Sequence, residues 1–114
     1  MTTLIKIEAD KIIFPNSKKI KCIYPIKNNL IFKDILIVML DVPIKNKYNR
    51  NVFAYDSIGN EIWQIDNLFP NDDDCPYNMI KIDENELLHL YNWCGFVVKL
   101  NPMTGEVVDR IFTK

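Results

Sequence analysis

The feature that most restricts the fold is a strand–turn–strand pattern that occurs twice. Residues 51–65 read NVFAYDSIGNEIWQI and residues 96–112 read FVVKLNPMTGEVVDRIF. In each, alternating apolar and polar positions lead into a polar turn containing glycine, and apolar positions resume after it. Alternation at period two gives a strand one buried face, and a glycine supplies the positive φ that a tight hairpin turn wants. Asp56 and Asn101 open the two turns, where a short polar side chain hydrogen-bonds its own turn backbone. After each glycine comes a matching segment, Glu61-Ile62-Trp63 in one and Glu106-Val107-Val108 in the other.

Working backward, Leu87–Asn92 matches Ile35–Leu40, and Tyr77–Ile82 matches Lys19–Pro25, so the hairpins belong to two longer units. Strands are expected near Leu4–Ile7, Lys11–Phe14, Lys19–Pro25, Leu30–Phe32, Ile35–Leu40, Asn51–Asp56, Glu61–Ile65, Tyr77–Ile82, Leu87–Asn92, Phe96–Leu100 and Glu106–Phe112. Many short strands without a long amphipathic run predict an all-β antiparallel domain. One competing reading stands: Asp83-Glu84-Asn85-Glu86 before LLHLY could open a short helix through a capping box. The repeat favours a turn and strand there.

Within residues 52–63 the spacing V-x-A-x-D-x-x-G-x-x-x-W resembles the blades of quinoprotein-like and other β-propeller repeat proteins. NWCGFVVKLNPMTGEVV, at residues 92–108, resembles such a blade too, with Asn-Pro where those repeats usually carry an Asp-Pro-like pair. The resemblance covers about residues 19–112. It implies two antiparallel four-stranded propeller-like blades, packed as a half-propeller or like a sandwich, plus an N-terminal hairpin. The expected organisation is one domain over 1–114, with the hairpin at 1–16 and blade-like units at 17–66 and 75–113. The hairpin is expected to cover a sheet edge that would otherwise invite pairing with other chains. A closed propeller needs at least four blades, and this chain has room for two. The axial cofactor site that the resemblance would bring therefore has no ring to form it, and no cofactor is expected.

Length and composition fit one globular domain: 114 residues, 48% apolar and 25% charged. The longest apolar run, Ile35–Leu40, ends at aspartates on both sides, so no membrane span is expected. The N-terminus MTTLIKIEADK lacks the basic and apolar regions of an export signal, which points to a cytoplasmic protein. Cys22, Cys75 and Cys94 form an odd set with no C-x-x-C pair, and reduced thiols are the expectation. The net charge of −1 conceals an asymmetry. Residues 1–50 carry ten Lys/Arg against four Asp/Glu, and residues 51–114 carry four against eleven. Such a chain steers a charged partner if the two halves occupy different surfaces.

No catalytic constellation emerges. His89, the one histidine, sits in LLHLY and reads as a hydrogen-bonded structural residue, although a Cys94–His89 nucleophile–base pair is a conceivable alternative. Asn71-Asp72-Asp73-Asp74 fails as a calcium loop. With Asp72 first, Tyr77 falls where glycine is required and Asp83 where a bidentate Glu is required. No His/Cys cluster has zinc spacing, and the three glycines are too dispersed for a phosphate cradle. Basic residues at Lys18, Lys19 and Lys21 and at Lys45–Arg50 lack an interleaved aromatic series, so nucleic acid is not the expected partner. Trp63 and Tyr91 read as packing residues, and Trp93, just before Gly95, as exposed.

An all-β domain with an acidic half and no evident chemistry reads as a binding protein. NVFAYDSIGNEIWQI and NWCGFVVKLNPMTGEV also resemble small bacterial immunity proteins of contact-dependent growth inhibition systems. That resemblance implies a cognate protein toxin as partner, with a basic nuclease domain fitting the charge. An acidic surface would mimic the polyanion such a nuclease binds. The candidate contact residues are Asp66, Asp72, Asp73, Asp74, Tyr77, Asp83, Glu84 and Glu86, with Trp93 as an apolar anchor. The alternative is a self-assembling propeller-like module that pairs exposed strand edges into a homo-oligomer.

Overall fold

In a computed structural model, the described residues (5–43, 46–68 and 75–112) form eleven β-strands and no helix. All strand pairs are antiparallel, and they group into three sheets that follow the chain order. The N-terminal sheet is ordered β1 (Lys6–Glu8), β2 (Lys11–Ile13), β3 (Lys19–Lys21). The middle sheet is ordered β4 (Ile26–Phe32), β5 (Ile35–Leu40), β6 (Val52–Tyr55), β7 (Glu61–Gln64). The C-terminal sheet runs from β8 (Tyr77–Ile82) through β9 (Leu88–Asn92) and β10 (Phe96–Leu100) to β11 (Val107–Phe112). The all-β class expected from alternation is present, and the 83–87 segment is a turn rather than a helix.

The run ILIVML explains how the sheets stack. All six residues of β5 are buried, so neither face of the strand meets solvent. Ile35, Ile37 and Met39 join Leu88, Leu90, Val98 and Leu100 of the C-terminal sheet in one core. Leu36, Val38 and Leu40 join Ile12, Phe14 and Cys22 in a second core beneath the N-terminal sheet. The middle sheet is thus sandwiched between the other two. Full burial of each large aliphatic side chain stabilises the stack by roughly 1.5–3 kcal/mol.

The repeated hairpins lock neighbouring sheets through their glycines. Gly59 has φ +90°, and a Cβ there would lie 2.8 Å from Lys18 Cδ and 3.0 Å from the Phe14 ring. Lys18 Nζ also donates to the Gly59 carbonyl at 2.9 Å. Gly105, at φ +78°, would meet the Trp63 side chain at 2.7 Å. Trp63 donates its indole Nε1–H to the Pro102 carbonyl, 2.8 Å away, so its one polar atom is satisfied in the core. The middle sheet's hairpin turn therefore docks on the N-terminal sheet, and the C-terminal sheet's turn docks on the middle one. Asn51, fully buried, completes the second junction. Its amide nitrogen donates to the Leu40 and Tyr77 carbonyls, and its oxygen accepts from the Tyr77 amide.

Three expectations change. The N-terminal hairpin acquires a third strand, because Lys19–Lys21 pairs with β2 and not with the first four-stranded unit. That unit instead begins at Ile26, so Ile26–Phe32 is the counterpart of Tyr77–Ile82. The N-terminal sheet also covers a face of the middle sheet, as the second core requires, rather than an edge. Alternation alone could not separate these options, since Lys19–Pro25 has an acceptable strand pattern for either sheet.

Candidate protein-binding site

Large exposed apolar side chains gather at one end of the C-terminal sheet. The β9–β10 turn begins at Asn92, whose side-chain oxygen accepts from the amides of Cys94 (3.1 Å) and Phe96 (2.9 Å). Gly95 takes φ +90° to close it. This geometry turns Trp93 outward, and it is 61% exposed. Phe96 starts β10 directly opposite Phe112 at the end of β11, with ring centroids 4.9 Å apart. Phe112 is 58% exposed. Trp93, Phe96 and Phe112 thus come from one turn and two paired strand ends. The Asn92 amide nitrogen, buried beneath, has no hydrogen-bond partner among the described residues.

A covalent link holds this end. Cys75 and Cys94 form a disulfide with a Cα–Cα distance of 5.5 Å. The expectation of three reduced thiols is corrected for these two. The pairing of Tyr77 with Asn92 brings the chain before β8 alongside the β9–β10 turn, a proximity that sequence spacing does not reveal. Cys94 therefore offers no thiol to His89, and the nucleophile–base alternative fails in this state. The Cys75 amide donates to the buried Asn49 side chain at 2.9 Å, fixing the same junction from the middle sheet. Cys22 is a buried thiol, and burial, with a smaller contribution from Asp10, pushes its pKa up to about 11.

One acidic candidate lies in the segment after β7. Asp66 follows β7, with its side chain 86% exposed and an oxygen 3.9 Å from Arg50 NH2. Two arginines hold the neighbouring backbone: Arg50 Nε donates to the Ile65 carbonyl and Arg110 NH1 to the Leu68 carbonyl. The acidic residues Asp72, Asp73 and Asp74 lie outside the described residues.

The remaining candidates fall elsewhere. Tyr77 is 3% exposed and belongs to the core between the middle and C-terminal sheets, so it is corrected from contact residue to packing residue. Asp83, Glu84 and Glu86 occupy the β8–β9 turn, at the opposite end of β8 from Cys75 and Trp93. Six residues of strand separate the two ends by ~20 Å. Asp83 spends its carboxylate internally. One oxygen accepts from the Asn85 and Leu87 amides, and the other lies 2.6 Å from His89 Nε2. These bonds, led by that from Leu87 and followed by that from His89, lower the Asp83 pKa. His89 is hydrogen-bonded, as expected. Glu86 pairs with Lys33 at 2.8 Å, and both side chains stay exposed. Phe96 and Phe112 had no distinguishing mark in the sequence; only the β10–β11 register brings them together.

Among the described residues, no group of three or more His, Cys, Asp or Glu side chains is arranged to hold a metal. No helix there is long and apolar enough to cross a membrane. No curated protein matches the chain. A family model described as a domain of unknown function, DUF7957, matches residues 4–112. The chain therefore belongs to the DUF7957 family.

Proposed function

We propose that this protein is a non-enzymatic binding domain that recognises another protein through the aromatic end of its C-terminal sheet. The observation that carries this reading is Trp93, at 61% exposure, grouped with the Phe96–Phe112 pair on a disulfide-tied turn. Aromatic side chains dominate the energetics of protein interfaces, and a pre-ordered platform loses little entropy on binding. Asp66, 86% exposed after β7, favours a basic partner and speeds encounter through long-range attraction.

In its most specific form the proposal is an immunity protein that neutralises a toxin, with a basic nuclease domain as the fitting target. The strand layout of the middle and C-terminal sheets is read, within the same proposal, as two successive propeller-like blades. A cytoplasmic setting goes with that role.

Affinity capture from the source lysate at low salt, followed by salt-gradient elution, tests the reading. Recovery of one basic protein in stoichiometric amount, lost when Trp93 is changed to Ala, is the expected result. Recovery from the Trp93→Ala variant at undiminished yield would overturn the assignment of the site.

A further inference from the structure

The three-sheet stack leaves the C-terminal sheet with one covered and one outward face. The covered face supplies Ile80, Leu88, Leu90, Val98 and Leu100 to the core. On the outward face the strand registers define two rows running across all four strands. The first is Ile111, Val97, Tyr91, Met79, from β11 to β8. The second, parallel to it, is Asp109, Lys99, His89, Lys81. Met79 and Ile111, at the two ends of the first row, are among the exposed large apolar residues, whereas Val97 between them is only 6% exposed and Tyr91 is half-buried.

We propose that this outward face is a homodimer interface, in which it packs on the same face of a second copy about a two-fold axis parallel to the strands. Rotation about that axis reverses strand order and preserves the rows. Ile111 then meets Met79 of the other copy, so the exposed ends of the apolar row cover one another across the buried Val97. Asp109 of each copy meets Lys81 of the other, giving two opposite-charge pairs per dimer. An axis perpendicular to the strands would set the apolar row on the charged row, which leaves charges unpaired and apolar area wet. Facing sheets lie about 10 Å apart, a gap that a lysine and an aspartate side chain span together. Lys99 of one copy faces His89 of the other, where the Asp83 carboxylate 2.6 Å from His89 supplies the opposite charge.

The other free sheet face points to the C-terminal one by contrast. The outward face of the N-terminal sheet carries Lys6, Ile13 and Lys19 in one row and Glu8, Lys11 and Lys21 in the next. Four lysines against one glutamate repel a second copy of themselves. They also repel a face whose charged row holds two lysines and one aspartate. Of these two faces, only the C-terminal one is complementary to itself among the described residues.

Sedimentation of the full chain over a concentration series up to the high-micromolar range tests this proposal. A dimer of 13.4 kDa chains is expected. Asp109→Lys and Lys81→Asp should each weaken it by about tenfold or more, because each places like charges together twice. The two substitutions combined should restore it. All three variants alter exposed positions, and thermal unfolding confirms that they fold. A monomer at every concentration would overturn the proposal. So would a dimer indifferent to both single substitutions and to Met79→Glu, since that result puts the contact at strand edges. The aromatic end is a separate surface, so partner capture that depends on Trp93 is unaffected by either outcome.

Discussion

A single atom at residue 105 decides how two sheets meet. A Cβ there would collide with the Trp63 side chain, and φ +78° disfavours any side chain. Gly105→Ala should destabilise the fold by about 1–3 kcal/mol from the backbone conformation alone, plus the displacement of Trp63. Urea unfolding monitored by Trp63 fluorescence measures it. Asn51 is the polar counterpart. Asn51→Ala leaves the Tyr77 amide and two carbonyls without their partner, and a loss on the order of 3 kcal/mol is expected in the same assay. The sequence made Gly105 and Trp63 legible as turn and core residues separately. Their contact was hidden, because it joins residues 42 positions apart in different sheets. Asn51 was hidden for the same reason: it reads as the first residue of a strand, and its bonds to Tyr77 in another sheet leave no local mark.

Turns are the elements in which the sequence was read most directly at Asp56, which accepts from the Ile58 and Asn60 amides, and at Asn101, which accepts from Met103. The same device recurs at Asp83, with Asn85 and Leu87, and at Asn92, with Cys94 and Phe96. A short polar side chain opening a tight turn is a local device, and local devices survive into sequence patterns. The hydrogen bonds lower the pKa of Asp56, chiefly through the Asn60 amide, and that of Asp83. Both folded-state values lie below the ordinary 3.8, so each carboxylate stabilises the fold at neutral pH. That contribution is lost as pH falls from just above 3.8 through the folded-state values. Asp56→Asn and Asp83→Asn should flatten the acid limb of a stability–pH profile, and an unchanged limb would contradict the assignment. The disulfide is the element the sequence concealed. It closes a loop between Cys75 and Cys94, a separation of 19 residues, and its removal should cost about 3 kcal/mol by chain entropy. Unfolding midpoints of the wild type and of Cys75→Ser/Cys94→Ser measure this.

At the scale of the whole molecule, charge asymmetry along the chain becomes asymmetry in space. The sheets are contiguous in sequence and stack in order, so the lysines of β1, β2 and β3 lie on one side of the middle sheet. The acidic turns of the C-terminal sheet lie on the other. The fold class and most strand positions were legible because period-two alternation is a local signal. The assignment of Lys19–Lys21 to the N-terminal sheet was not, since register between sheets is set by packing. The acidic turn at residues 83–86 is separated from the aromatic end for a similar reason, since β8 carries it ~20 Å away.

The central claim is that a protein partner is held at the aromatic end. A binding isotherm of the captured partner against wild type, Trp93→Ala, Phe112→Ala and Glu84→Gln/Glu86→Gln tests it most directly. Each aromatic truncation should reduce affinity by on the order of thirtyfold, the equivalent of an interface anchor worth about 2 kcal/mol. The glutamate pair at the far turn should leave affinity unchanged. Binding that survives both aromatic truncations and is lost with the glutamates would place the contact at the opposite end and contradict the account.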